Sequence, residues 1–258
     1  MNYIGIDIGS TCAKTAVLNE KKEIIQEFVQ PTGWSSVDTA EEILQKLKLA
    51  GISLSDDSSC CVATGYGRIS VPYADKAVTE ITCHALGAVH LFQQPDLTVI
   101  DIGGQDTKII QIEQGFVKDF IMNDKCAAGT GRFLEVMANT LSLRPNEMFE
   151  LARLGSDTTI SSMCTVFAES EVIGLIGKGE PKENIAYAVV DSTIRKVTAQ
   201  LSRMNGEMST FCLTGGLCEC EYIREALSKK LGKEVISSPD ARYAGAIGAA
   251  LSAMKIRK

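Results

Sequence analysis

Two acidic residues, each followed by a glycine turn, form the strongest chemical signal in the sequence. Asp7 is followed by Gly9, Ser10 and Thr11, and Asp101 is followed by Gly103, Gly104 and Gln105. Backbone N–H groups of such turns can surround phosphate oxygens, and hydroxyl groups add further donors. A carboxylate beside a polyphosphate repels it unless Mg²⁺ and its waters lie between them. The pattern therefore predicts a magnesium–nucleotide site. The alternative is that both aspartates only cap tight turns.

The region around these turns occurs twice in the chain. Both turns begin within the tetrapeptide Ile-Asp-Ile-Gly, and Lys14 and Lys108 follow them at the same offset. In residues 3–28 and 97–120, apolar stretches alternate with a glycine turn and a short polar turn, which predicts three strands in each region. We therefore expect a structural duplication. The two symmetric turns would then clamp a polyphosphate from both sides, with Lys14 as a further phosphate donor.

Helices and strands alternate after each of these regions, and a third glycine turn lies near the end of the chain. The periodicity predicts helices over 39–49, 78–92, 130–142, 145–154, 166–177, 182–203, 219–231 and 241–254, and strands over 60–64, 210–214 and 233–237. Gly215 and Gly216 follow a strand, where paired glycines allow an adenosine to approach closely. We expect a first half over 1–93 and a second over 94–258. The Ala- and Gly-rich last helix is suited to packing back on the first half.

Composition excludes several classes of protein. The 258 residues are 45% hydrophobic and 22% charged, which rules out a disordered tail, a coiled coil or a collagen-like chain. The net charge of −6 makes a nucleic-acid partner a poor expectation. No apolar run is long enough to span a membrane, and the N-terminal residues do not read as a secretory signal, so we expect a cytoplasmic protein. Nine cysteines in a reducing compartment suggest metal binding rather than disulfides.

Longer sequence segments indicate which protein family the chain resembles. The three glycine turns resemble those of the superfamily of actin, sugar kinases and Hsp70 chaperones. More specific are the segments 101–106, 123–135, 162–171 and 243–250. They closely resemble the activator ATPases (component A) of 2-hydroxyacyl-CoA dehydratases and their benzoyl-CoA reductase relatives, in the BadF/BadG/BcrA/BcrD ATPase family. The resemblance covers nearly the whole chain. It implies an α/β, duplicated actin-like ATPase (ribonuclease H-like) fold, with two similar halves, mixed sheets and a nucleotide cleft between them.

The same resemblance implies an activity, its cofactors and its partners. It implies a homodimer that hydrolyses ATP to ADP with Mg²⁺ and carries one [4Fe-4S] cluster per dimer. Hydrolysis would drive a low-potential electron from ferredoxin or flavodoxin into a dehydratase or reductase component. Asp7 and Asp101 resemble the carboxylates that hold Mg²⁺ through water and orient the attacking water. The residues that resemble nucleotide contacts are Gly9, Ser10, Thr11, Lys14, Gly103, Gly104, Gln105, Gly129, Thr130, Gly215 and Gly216.

Cys126 and Cys164 are the candidate cluster ligands. Each precedes a predicted helix, and the positive end of a helix favours a thiolate and an anionic cluster. Two such cysteines make half of a four-thiolate site, and a two-fold dimer would supply the other half. Spacing alone also fits a small buried residue or a loop thiol at each position. Cys218 and Cys220 form a C-x-C pair that can bind metal, although no second pair matches it.

Two other functions stay open on the sequence alone. One is a small-molecule kinase of the same fold, which would phosphorylate a sugar or a carboxylate. The other is a nucleotide-gated assembly protein with no chemistry beyond ATP turnover. The kinase would leave the cysteines unexplained, and the chain lacks an evident insertion that would form its substrate pocket. The sequence does not identify the partner enzyme.

Overall fold

The chain forms two five-stranded sheets with helices packed against them. A computed structural model describes residues 1–54, 58–161, 164–204 and 210–256. The strands are β1 (Asn2–Ile8), β2 (Cys12–Leu18), β3 (Ile24–Pro31), β4 (Ser59–Thr64), β5 (Lys76–Ala77), β6 (Leu97–Ile102), β7 (Thr107–Glu113), β8 (Phe116–Asn123), β9 (Thr210–Gly215) and β10 (Val235–Ile236). The helices are α1 (Ser36–Leu49), α2 (Glu80–Phe92), α3 (Gly131–Thr140), α4 (Pro145–Ala152), α5 (Thr165–Gly177), α6 (Lys182–Leu201), α7 (Glu221–Leu231) and α8 (Ala244–Ile256).

The two sheets have the same strand order, which confirms the duplication. One runs β3-β2-β1-β4-β5 and the other β8-β7-β6-β9-β10. In the first sheet β1 pairs antiparallel with β2 and parallel with β4, so the sheet is mixed. The two glycine turns also close alike, because the Gly9 N–H donates to the Cys12 carbonyl (3.1 Å) and the Gly103 N–H to the Asp106 carbonyl (2.9 Å).

The chain divides into two compact units that are not continuous in sequence. The first contains Met1–Leu97, Ile110–Lys118 and Asp240–Lys258, and the second contains Thr98–Ile109 and Asp119–Pro239. The last helix, α8, therefore belongs to the first unit. In the part of the chain that the structure describes, no helix combines the length and the hydropathy of a membrane span.

Alternation along β1 separates the core of the first unit from its polar site. Ile4, Ile6 and Ile8 face the layer that contains α1, so the odd-numbered residues face α8, because successive side chains of a strand point to opposite faces. Gly5 allows this close packing, since a Cβ there would meet the backbone of α8 at the Ala250 nitrogen. Asp7 consequently ends its strand on the α8 side of the sheet.

The elements predicted from periodicity are confirmed, with small differences at their ends. The last strand is shorter than 233–237, since only Val235 and Ile236 pair with β9. The two-residue strand β5 was not predicted, because so short a stretch has no periodicity to detect. In the predicted motif 162–171, Ser162 and Met163 lie outside the described residues.

Candidate functional site

The carboxylate of Asp7 is buried at the end of β1 without a full set of hydrogen bonds. The residue is 3% exposed, and its Oδ1 atom has no hydrogen-bond partner among the described residues. Two glycines make room for it. A Cβ at Gly65 would collide with Oδ1, and a Cβ at Gly245 would lie 2.6 Å from Oδ2. A buried anionic oxygen without a partner is costly, so this position fits a cation or a cation-bound water.

The turn after Asp7 is held in place from one side and open on the other. Thr32 fixes it, because its hydroxyl donates to the Gly9 carbonyl (2.7 Å) and its N–H to the Thr11 carbonyl (2.9 Å). Ser10 and Thr11 are exposed. Their hydroxyls are therefore accessible to a phosphate group, as the sequence predicted for this turn.

Lys14 lies opposite Asp7 in the β1–β2 ladder and is half-buried. Residues directly opposite each other in an antiparallel pair share a face of the sheet. No ion pair joins the two side chains in the structure over its described ranges. The ammonium group of Lys14 is therefore not taken up by the carboxylate beside it.

The second glycine turn has a different electrostatic arrangement. Lys108 is only 1% exposed, and its Nζ atom lies 3.3 Å from Asp101 Oδ2 and 2.8 Å from Asp106 Oδ2. The Thr214 hydroxyl donates to Asp101 Oδ1 (2.8 Å). Both carboxylate oxygens of Asp101 thus accept hydrogen bonds from the protein. Burial and the negative charge of Asp101 raise the pKa of the neighbouring Cys212 thiol.

Helix α3 starts directly on this second turn. The N–H groups of Gly131 and Arg132 donate to the carbonyls of Gly103 (2.9 Å) and Gly104 (2.8 Å). These bonds satisfy two of the donors that the start of a helix leaves open. Gln105, at the tip of the turn, is exposed. The tip is therefore accessible, while the glycines before it position the helix.

Gly129 and Thr130 are buried in the turn that precedes α3. Gly129 has a φ of +85°, and its carbonyl accepts from the Thr107 hydroxyl (2.7 Å). The Thr130 hydroxyl donates to the Ala127 carbonyl (2.6 Å). The groups that the sequence assigned to nucleotide contact are here used within the protein, and they fix the turn between β8 and α3.

The predicted adenosine turn is open at one glycine and tightly packed at the other. Gly215 has a φ of +84°, and a Cβ there would lie 2.5 Å from the Ile102 carbonyl oxygen and 2.9 Å from Asp101 Oδ1. A Cβ at Gly216 would meet no atom within 4 Å. The first glycine therefore lets the strands approach closely, and the second leaves space for a ligand.

Gly65 occupies the same place in the first unit as Gly215 in the second. Each has a positive φ, and a Cβ on either would collide with the aspartate and the strand end of its own unit. The threonine before each glycine differs in its bonding. The Thr64 hydroxyl donates to the Val78 carbonyl (2.9 Å), whereas Thr214 donates to Asp101. This difference leaves Asp7 Oδ1 without the partner that Asp101 has.

Of the two candidate cluster cysteines, Cys164 lies at a helix start and Cys126 does not. Cys164 is exposed and is the N-cap residue of α5. Cys126 is half-buried and precedes the N-cap residue Thr130 by a full turn. The prediction that both thiols lie at helix N-termini is therefore wrong for Cys126. The reason is that the residues between Cys126 and α3 form a turn around Gly129 and are not part of the helix.

The loop that carries Cys126 is nevertheless fixed. The side-chain amide of Asn123 donates to the carbonyls of Cys126 (2.8 Å) and Ala128 (3.1 Å). Helices α3 and α5 adjoin, and the Thr140 hydroxyl on α3 donates to Glu169 on α5 (3.2 Å). The two cysteines belong to one unit, Cys126 in the loop before α3 and Cys164 at the start of α5. Among the described residues, no three His, Cys, Asp or Glu side chains group as metal ligands.

The two cysteines of the C-x-C pair, Cys218 and Cys220, lie in the turn between β9 and α7 and take part in its packing and capping. Cys218 is buried, and its carbonyl accepts from the Ser237 hydroxyl (2.8 Å). Cys220 is the N-cap residue of α7, and burial raises the pKa of its thiol.

Sequence reasoning did not include Lys108 among the site residues, although it included Lys14, the equivalent residue of the first turn. An alignment of the two turns could have identified it. Asp106 corresponds to Cys12, so only the second turn has a second carboxylate with which its lysine can pair.

Comparison with known proteins gives the family. The model of the BadF/BadG/BcrA/BcrD ATPase family matches residues 4–253. The chain is 43% identical to the (R)-2-hydroxyglutaryl-CoA dehydratase activating ATPase of Acidaminococcus fermentans over 254 residues, which cover 98% of this chain and 96% of that protein.

Two solved structures have the same fold. The crystal structure of the (R)-2-hydroxyglutaryl-CoA dehydratase component A from Acidaminococcus fermentans matches with a TM-score of 0.91 and 42% identity, over 99% of this chain and 98% of that one. The activator of the 2-hydroxyisocaproyl-CoA dehydratase from Clostridium difficile, with bound ADPNP, matches with a TM-score of 0.89 and 34% identity, over 99% and 95%. The expected α/β, duplicated actin-like fold is confirmed. This chain belongs to the BadF/BadG/BcrA/BcrD ATPase family.

Proposed function

We propose that this chain is an ATP-hydrolysing, [4Fe-4S]-containing activator that passes a low-potential electron to a 2-hydroxyacyl-CoA dehydratase-type enzyme. Membership of an ATPase family and similarity to dehydratase activators support the proposal. The observation that carries it is the coexistence of the two features such an activator needs. One is a buried, unpartnered carboxylate beside an open glycine turn, and the other is an exposed cysteine that begins a helix with an apolar surface.

The first glycine turn supports the ATPase part of the proposal. Asp7 Oδ1 fits Mg²⁺ held through water, and Mg²⁺ would neutralise the charge on the phosphates. Ser10, Thr11 and Lys14 are available as phosphate donors. In hydrolysis, water attacks the γ-phosphorus, the bond to the β-phosphate oxygen breaks, and ADP and phosphate leave. Such a reaction depends mainly on positioning and electrostatic stabilisation. Gly216 has the open space that the adenosine side requires.

The surface of α5 supports a homodimer that shares one cluster. The apolar side chains of Val166, Phe167, Ile173 and Ile176 are exposed along this helix. Exposed apolar residues grouped in this way are typical of a protein interface. Cys164 lies at the start of the same helix. A two-fold axis at this surface would bring the Cys126 and Cys164 thiols of both chains to one site, and the cluster bound there supplies reversible one-electron transfer.

The remaining assignments follow from the proposed activity. The electron acceptor is a dehydratase or reductase component, and the donor is ferredoxin or flavodoxin. We infer a cytoplasmic location for the activator and its electron carriers. The activator needs no nucleic acid and no membrane.

ATP hydrolysis by matched variants tests the proposal. Asp7→Asn keeps the shape of the side chain and removes the charge that Mg²⁺ requires, so we expect a fall in kcat of about 100-fold or more. Asp119→Asn changes an exposed carboxylate on β8 and serves as the control. Parent protein that does not hydrolyse Mg-ATP under anaerobic conditions, or Asp7→Asn protein as active as the control, would contradict the proposal.

A further inference from the structure

The two halves of this duplicated fold treat their aspartates differently. Asp7 has an oxygen without a hydrogen-bond partner. Asp101 accepts from the Thr214 hydroxyl at Oδ1 and from the Lys108 ammonium at Oδ2. A lysine follows each aspartate at the same offset, but Asp106 in the second turn stands where the first turn has Cys12. The difference therefore arises from two sets of neighbours: the second carboxylate, which pairs with Lys108, and the threonine hydroxyl, which reaches the aspartate only in the second unit.

Lys108 is held between two carboxylates, and its own side chain is shielded from water. Its Nζ atom lies 2.8 Å from Asp106 Oδ2 and 3.3 Å from Asp101 Oδ2, and its side chain is 1% exposed. A buried ammonium group is stable only when it is paired and hydrogen-bonded. Asp106 also lies against Gly103, where any Cβ would collide with its Oδ1 atom. The cluster of Asp101, Asp106 and Lys108 is therefore fixed to the backbone of the second turn.

This arrangement bears on where a divalent cation can bind. A cation that approached Asp101 Oδ2 would meet the positive charge of Lys108 at 3.3 Å from that oxygen. Like charges at such short range repel strongly where the dielectric constant is low. No ammonium group pairs with Asp7 in the described part of the chain, so that carboxylate imposes no such penalty.

We infer that Lys108 is a positioning residue. It binds Asp101 and Asp106 into one ion-paired cluster that fixes the second glycine turn, and it keeps Asp101 from serving as a ligand for the nucleotide-bound cation. Asp7 is then the aspartate that faces the cation. This role rests on the proposed ATPase function and deepens it, because it assigns different tasks to two residues that the sequence makes equivalent.

The affinity of Mn²⁺ for the ADP complex, measured by electron paramagnetic resonance of the free ion, tests this role. In the parent background, Asp101→Asn should change the affinity by less than about twofold, whereas Asp7→Asn should weaken it by about tenfold or more. Lys108→Met should tighten Mn²⁺ binding by about threefold, because it releases Asp101. Adding Asp101→Asn to Lys108→Met should abolish this gain, which gives a double-mutant cycle. Lys118→Met, at an exposed lysine of β8, is the control for loss of a positive charge.

The outcomes separate this role from the function on which it rests. A parent protein that binds no Mn²⁺–ADP would refute both. Normal binding by the parent, together with an Asp101→Asn loss as large as that of Asp7→Asn, would refute only the role of Lys108. Thermal unfolding shows which variants fold. If Lys108→Met does not fold, the comparison of Asp101→Asn with Asp7→Asn in the parent background still shows whether Asp101 binds the cation.

Discussion

Truncation of Phe167 on α5 tests the proposed dimer surface. The residue is 68% exposed and is the third residue of α5, whose N-cap is Cys164. Phe167→Ala removes the largest exposed apolar side chain of that helix without disturbing the buried core of the unit. Phe116→Ala is the matched control, since Phe116 is 77% exposed at the start of β8, well before Cys126 in the chain.

The expected magnitude follows from the exposed area. A Phe side chain buries about 200 Å² when fully covered, so 68% exposure leaves about 130 Å² for an interface. At about 25 cal/mol per Å², this area corresponds to about 3 kcal/mol for each chain. If the interface covers half of it, the two symmetric copies together contribute about 3 kcal/mol. The dimer Kd should therefore rise by about 100-fold.

Sedimentation velocity under anaerobic conditions, over a wide range of protein concentration, measures this change. Phe167→Ala should form monomers at concentrations where the parent and Phe116→Ala stay dimeric. Phe116→Ala should unfold at the parent's temperature, whereas Phe167→Ala should unfold at a lower temperature that depends on protein concentration, because weaker association of the folded chains removes stability. If Phe167→Ala kept the parent's Kd, the α5 surface would not be the dimer interface.

Three further predictions follow from individual contacts. Gly245→Ala places a Cβ 2.6 Å from Asp7 Oδ2 and 2.8 Å from His84 Cε1, so Mn²⁺–ADP affinity measured by calorimetry should fall by about tenfold, and overpacking against these two buried side chains should also lower the unfolding temperature. Burial raises the pKa of Cys83 and shields its thiol from solvent, so iodoacetamide at pH 8 should label the exposed Cys164 of the cluster-free native protein and should label Cys83 only after unfolding, as mass spectrometry of the peptides can show. The second glycine turn anchors α3 next to the loop of Cys126, so iron chelators should remove the cluster at different rates from the ATP-analogue and ADP complexes; equal rates would contradict this coupling.

The sequence was sufficient for the elements and the duplication because both depend on local patterns. Strand–turn–strand periodicity and the repeated Ile-Asp-Ile-Gly are visible without any tertiary information. The different states of Asp7 and Asp101 could not be read in the same way. They depend on where the Thr64 and Thr214 hydroxyls point, and this is decided by neighbours far away in the chain.

Two further features were beyond sequence reasoning for physical reasons. Apart from Glu169, Ser170 and Glu171, helix α5 consists almost entirely of apolar residues and glycines, which in a sequence is typical of a buried helix. In the single chain, however, Phe167 and Ile173 are exposed. The position of Cys126 relative to α3 depends on the left-handed backbone of Gly129, which separates the cysteine from the helix start by one turn. Glycine permits such a conformation but does not by itself predict it.

The iron and sulfide content of the anaerobically purified protein tests the central claim most directly. We expect about four iron and four sulfide for every two chains, since one chain contributes two cysteines to a four-thiolate site. Cys126→Ser with Cys164→Ser should remove both elements and keep nucleotide binding, whereas Cys218→Ser with Cys220→Ser should keep both. Four iron for each chain, or a cluster retained after loss of Cys126 and Cys164, would contradict the account.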